Sequence, residues 1–281
     1  MTCLIWGANY PVVKYGTTVL DPLAYNGARI LLGTVVFVAI AAVWGGPVSR
    51  RDRWALLALG VLGNGVYQVL FAEGVAHTRA GTAALILAAT PALTATIGRV
   101  TGVERVGRRG LAGIALSASG IALVVFGRDA GGVTSGGTGG ATLLGNVMVL
   151  AGACCWASFI VLLEPYTHRV SLLDVSALTL VGGAVPLLLG SLPAMAHTAW
   201  SRVTPLTWAA IAFSGIGSLV IGYLFWYRGI RVLGPTRTSI YSNLQPLVAL
   251  AISWMLLAEI PTLRQGLGAA TIVAGVILTR T

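Results

Sequence analysis

Charge is scarce in this sequence: 9% of its 281 residues are charged and 56% are hydrophobic, whereas a soluble domain carries about 25% charge. That shortage excludes water as the main solvent, because too little polar surface exists to cover a core of this size. Acids are scarcer than bases, eight against eighteen Lys and Arg, and they stand singly along the chain, so no carboxylate pair is available for acid–base chemistry. The three histidines, His77, His168 and His197, fall in different turns without an HExxH spacing, and no metal or cofactor is expected. The three cysteines, Cys3, Cys154 and Cys155, lie in apolar segments and form neither a CxxC motif nor a disulfide framework. An enzyme is therefore not expected.

What is present is a succession of long charge-free runs. A crossing of the bilayer core needs about 20 apolar residues, and runs of that order occupy 30–49, 54–72, 80–98, 110–127, 175–201, 203–227 and 238–258. In the longer run 130–163 the Gly-rich stretch 131–140 reads as flexible linker, which leaves 143–163 as one helix. That stretch lacks the Gly-Lys-Ser/Thr ending of a phosphate-binding loop. A shorter run at 265–279 is flanked by Arg264 and Arg280, whose stems can reach the interfaces, and a first run at 3–20 contains Lys14. The expected fold is an all-α polytopic membrane protein of ten transmembrane helices.

Lys and Arg concentrate in cytoplasmic loops. With the N-terminus inside, the cytoplasmic turns and the C-terminus hold twelve cations: Arg50, Arg51, Arg53, Arg99, Arg105, Arg108, Arg109, Arg169, Arg228, Arg231, Arg237 and Arg280. The other side holds five: Lys14, Arg79, Arg128, Arg202 and Arg264. Both termini are thus expected to be cytoplasmic, in the plasma (inner) membrane of a bacterium. Topology accounts for the net charge of +10, and no nucleic-acid partner is expected, since no separate domain carries the arginines.

The chain also repeats itself. A shift of 155 residues superposes Gly74 on Gly229, Pro91 on Pro246, Glu104 on Glu259, Arg109 on Arg264, Gly113 on Gly268 and Gly120 on Gly275. Trp54 with Trp208 and Trp6 with Trp156 agree at slightly smaller offsets. Five spans in each half would insert in opposite directions, the pattern of an inverted-topology repeat with its binding site at the repeat interface near mid-membrane. The expected organisation is a first five-helix repeat at 1–127, an external linker at 128–142 and a second repeat at 143–281. Trp156 follows thirteen residues of helix whereas only five precede Trp6. The first helix is accordingly expected to be a half-span, or the start of the chain to be assigned too late.

Trp6-Gly7-Ala8-Asn9 with Lys14 eight residues beyond the Trp, Arg29 early in the second span, a proline amid spans four and nine, and short turns bearing Glu104 and Glu259 together resemble the EamA-like branch of the drug/metabolite transporter superfamily. The resemblance covers nearly the whole chain. It implies two five-helix repeats and export or exchange of amino acids, metabolites or drugs, the partners being a small-molecule substrate and the lipid bilayer. Two departures are Glu164, where the repeat would place a counterpart of Lys14, and Glu73, where a small or apolar residue would be ordinary. A channel, a structural membrane protein or an intramembrane enzyme are the competing classes.

Polar residues inside spans are costly and so informative. Asn64, Tyr67, Gln68 and Phe71 fall on one helical face, and Thr238, Tyr241, Ser242 and Gln245 repeat the spacing before Pro246. Such stripes serve either as interhelical hydrogen-bonding contacts or as cavity walls. A mid-span proline clashes with the carbonyl four residues back, which frees the carbonyls of Leu87 and Ser242 for protein, water or ligand. The expected substrate cavity is lined by Asn9, Tyr10, Asn64, Tyr67, Gln68, Thr90, Trp156, Tyr241 and Gln245. Tyr223, Trp226 and Tyr227 form an aromatic face that suits either the cavity or an interfacial belt. Lys14, Arg29 and Glu73 lie at one depth, and a carboxylate between two cations is a low-cost arrangement there; the alternative is that the cations snorkel. This trio is the candidate coupling or gating group, with Glu73 as its protonatable member.

Overall fold

The computed structural model describes residues 1–100, 107–126, 139–233, 245–257 and 262–280, and every regular element among them is helical. Besides a short 3-10 turn at Trp200–Arg202, these are in chain order α1 (Thr2–Val19), α2 (Pro22–Trp44), α3 (Arg50–His77), α4 (Ala80–Val100), α5 (Arg108–Phe126), α6 (Gly139–Thr167), α7 (Leu172–His197), α8 (205–233), α9 (Gln245–Leu257) and α10 (Leu263–Arg280). Among the described residues six helices, namely α2, α3, α4, α6, α7 and α8, are long and apolar enough to cross a membrane.

Local chemistry sets several starts. Asp21 accepts from the N–H groups of Leu23 and Ala24, with Pro22 opening the helix, and so α2 begins well before the charge-free run at Ile30 and carries Arg29 inside it. Ser49, Ser171 and Thr204 cap α3, α7 and α8 in the same way. The helix α6 starts at Gly139, earlier than the expected Leu143.

Polarity is inverted relative to a water-soluble protein. Asn26, Ser176, Thr179 and Ser214 are fully buried, while Val35, Leu189 and Leu192 project outward with more than half their surface free. An apolar exterior of this kind is matched to lipid.

The main helix pairings form a set that is unchanged when α1 to α5 are exchanged with α6 to α10. Three helices pack on their own counterparts, α2 on α7, α4 on α9 and α5 on α10; the contacts α1–α9, α3–α6 and α3–α7 are mirrored by α6–α4, α8–α1 and α8–α2. Counterparts also share a local irregularity. Both α3 and α8 contain a π-helical stretch, Val61–Val66 and Phe213–Ile221, a feature that often marks functional positions. Small residues permit close approach: a Cβ on Gly60 would strike the backbone of Thr179, and one on Gly182 the backbone of Leu57, so α3 and α7 meet backbone to backbone.

In α4 the chain turns at residues 88–89, ahead of Pro91. The Leu87 carbonyl that the proline frees accepts the Thr90 hydroxyl at 2.6 Å, and the break is thereby satisfied by protein.

Candidate functional site

A central cavity opens between the two sets of helices. From the first set, α1 contributes Trp6, Asn9 and Tyr10, α2 contributes Arg29, and α3 contributes Tyr67, Gln68 and Phe71. Trp6, Asn9 and Tyr10 stand at i, i+3 and i+4, and Tyr67 and Gln68 stand four and three residues before Phe71, spacings that put each group on one face of its helix. The helix α4 adds Thr90 and Pro91 at its break, and from the second set come Trp156 of α6, Ser218, Tyr223 and Trp226 of α8, and Gln245 of α9.

A buried polar network organises the wall. The Arg29 guanidinium, 1% exposed, donates from Nε to Asn26 Oδ1 at 2.7 Å, from one terminal nitrogen to Ser214 Oγ at 3.3 Å, and from the other to Gln68 Oε1. Asn26 in turn donates to the Gln68 backbone carbonyl at 2.8 Å, and Ser214 donates to Asn9 Oδ1. Gln68 Nε2 donates to the Tyr223 hydroxyl at 3.4 Å, which donates to Asn64 Oδ1 at 2.9 Å. One continuous chain of bonds thus ties α1, α2, α3 and α8 together. The guanidinium also lies 5.5 Å from the Phe71 ring centroid, within cation–π range.

The rest of the wall is aromatic. Trp6 sits 5.1 Å from Trp226, 5.9 Å from Tyr223 and 6.2 Å from Trp156, and Trp156 lies 5.0 Å from Tyr67. The Trp6 indole N–H donates to the Ser218 carbonyl at 3.0 Å. Gly222 makes this seat possible, since a Cβ there would fall on the Trp6 indole.

Of the residues expected from sequence, Asn9, Tyr10, Tyr67, Gln68, Thr90, Trp156 and Gln245 line this cavity. Asn64 is buried behind it, holding Tyr223. Tyr241 lies outside the described residues. Arg29, expected beside Lys14 and Glu73, joins the polar network, and no ion pair links it to Glu73. Lys14 donates to the Ala76 carbonyl at 2.8 Å, and the Glu73 carboxylate lies 3.9 Å from His77 Nδ1. Sequence reasoning leaves Trp6, Asn26, Ser214 and Ser218 out of the site and Tyr223 and Trp226 undecided; the last two are 3% and 4% exposed, which places them inside rather than in an interfacial belt. The outward Phe225 between them marks the lipid side of the same turn.

The sequence and the fold both find their parallel in known proteins. The EamA-like transporter family matches residues 1–126 and 143–281. The chain belongs to that family. Among its relatives are the uncharacterized transporter YyaM of Bacillus subtilis, 28% identical over 96% of this chain and 88% of that one, and a "Probable terminal-alkyne amino-acid exporter" of Streptantibioticus cattleyicolor, 30% identical over 99% and 90%. A "Probable amino-acid metabolite efflux pump" of Salmonella typhimurium is 27% identical over 99% and 92%. A crystal structure shares the fold, with a TM-score of 0.65 at 19% identity over 99% of this chain and 93% of that one. The transporter is an integral membrane protein whose partners are the bilayer and small molecules, and its central cavity is the candidate site.

Proposed function

We propose that this transporter exports or exchanges amino acids or related small metabolites by alternating access, with α1 to α5 and α6 to α10 acting as inverted five-helix repeats that each cross the membrane five times. The observation that carries this reading is the cavity, whose wall is drawn from both sets of helices. A site at the seam between repeats is exposed to one side or the other as the repeats rock. The self-consistent exchange of helix pairings and the π-helical stretches at matched positions of α3 and α8 support the repeat. The relatives named for amino-acid export support the substrate class.

In this reading Asn9, Tyr10, Asn64, Tyr67, Gln68, Thr90, Trp156, Tyr241 and Gln245 form or support the substrate site, Lys14 and Glu73 serve coupling or gating, and Glu73 is the residue that exchanges a proton. Both termini face the cytoplasm and the protein resides in the inner membrane of a bacterium. Purified protein in vesicles, assayed with radiolabelled amino acids with and without an imposed pH gradient, tests this. Saturable uptake above that of empty vesicles, altered by the gradient, is the expected result; flux no greater than in empty vesicles overturns the reading.

A further inference from the structure

We infer that Arg29 is the anion subsite of the cavity, and that the transporter selects small organic carboxylates by seating the carboxylate on this guanidinium. This rests on the transport reading above and specifies its substrate class. Three independent features of the wall carry it.

The first is a buried charge with no carboxylate partner among the described residues. Arg29 is fully buried and lines the cavity, yet its hydrogen-bond acceptors, Asn26, Gln68 and Ser214, are all neutral. The described acids are engaged elsewhere: Asp21 caps α2, Asp52 pairs with Arg169, Glu73 and Glu164 lie beside His77 and His168, and Asp174 accepts from the Gly46 N–H. A buried guanidinium without a counter-ion is strongly disfavoured in a membrane interior, and a bound anion removes that penalty while it is present.

The second is donor capacity. A guanidinium has five N–H groups; the network uses three, one from each nitrogen. One N–H remains on each terminal nitrogen, and the planar fork is held in place by its three neutral acceptors, which is the preparation that a carboxylate requires.

The third comes from another helix. The Trp226 indole N–H, on the same cavity wall and 4% exposed, has no hydrogen-bond partner. The Trp226 N–H and the two remaining Arg29 N–H groups stand on opposite helix sets, and they call for a ligand group that only accepts. A single guanidinium balances a monoanion, which favours carboxylate over a phosphate dianion. The rings of Trp6, Tyr67, Trp156 and Tyr223 then offer apolar faces for the body of the same molecule.

The test is ligand-induced thermal stabilisation of the purified full-length protein by the protein amino acids and by short 2-hydroxy and 2-keto acids, each compared with its primary amide. Amides keep size and shape but lose the charge. Carboxylates are expected to stabilise the protein and amides to bind on the order of 10- to 100-fold more weakly. Arg29→Gln should abolish that discrimination, whereas Arg29→Lys, which keeps the charge, should retain it at lower affinity. Trp226→Phe should weaken carboxylates alone. Arg29→Gln protein that still prefers acids, amides that bind as well as acids, or no stabilisation by any carboxylate of the panel would each overturn the inference. Vesicle flux separates the two readings: carboxylate binding without flux refutes transport and leaves the subsite standing, whereas flux of amides or amines without acid preference does the reverse.

Discussion

The seam between α3 and α7 makes a quantitative prediction. A Cβ added to Gly182 would lie 2.7 Å from the Leu57 carbonyl carbon and 2.8 Å from its Cα; on Gly60 it would lie 2.8 Å from the carbonyl carbon and Cα of Thr179. Carbon atoms prefer about 3.5–4.0 Å, and backbone cannot rotate aside, so either alanine forces the helices roughly 1 Å apart. Overpacking of this kind costs about 1–3 kcal/mol, offset by about 0.5–1 kcal/mol because alanine is the better helix former. Gly60→Ala and Gly182→Ala should therefore each lower stability by roughly 1–2 kcal/mol. Gly190, also in α7, has nothing within 4 Å of its added Cβ; Gly190→Ala should be neutral or slightly stabilising. Because either clash separates the same two helices, the double substitution Gly60→Ala with Gly182→Ala should cost less than the sum of the singles, with a coupling of about 0.5–3 kcal/mol. Thermal midpoints in detergent, followed by retention of monodisperse protein, provide the ranking. Gly182→Ala as stable as Gly190→Ala, or strict additivity of the pair, would refute the backbone contact.

Other consequences are equally direct. In a background with Cys3, Cys154 and Cys155 replaced, cysteines at Gln68 and Gln245 should react with a small water-soluble thiol reagent and be protected by substrate; inertness at both would mean that these side chains are packing contacts. Thr90→Val removes the hydroxyl that satisfies the Leu87 carbonyl and should lower stability by about 1–3 kcal/mol, with no loss if water fills the gap without penalty. Glu73→Gln should abolish the pH dependence of transport while leaving protein in the membrane, and unchanged pH-driven transport in that variant would remove Glu73 from the mechanism.

Much of the cavity was legible as periodicity. The stripe Tyr67, Gln68 and Phe71 needed only the helical repeat to be placed on one face. Residues whose roles depend on another helix were not legible. Ser214 and Ser218 lie in the π-helical stretch of α8, where the ordinary helical spacing fails, and Trp6 enters the site through a close approach to Gly222 that no local pattern encodes. Arg29 illustrates the limit best. Its depth along α2 suggested a partner at the same level, Glu73, yet the helices turn it towards Gln68 of α3 and Ser214 of α8, and helix rotation about its own axis is a tertiary property. Tyr223 and Trp226 sit next to Arg228, which made an interfacial belt a reasonable alternative; only their burial against Trp6 and Trp156 decides the matter.

Trans-stimulation distinguishes a cavity that opens to one side of the membrane at a time from a continuous pore. Vesicles holding the purified protein are preloaded with a radiolabelled amino acid that the protein transports, and efflux is followed with and without the same unlabelled compound outside. Alternating access predicts that external substrate accelerates efflux in a saturable manner, because a loaded carrier returns faster than an empty one. Efflux that is indifferent to external substrate and rises linearly with internal concentration would identify a pore and contradict the account.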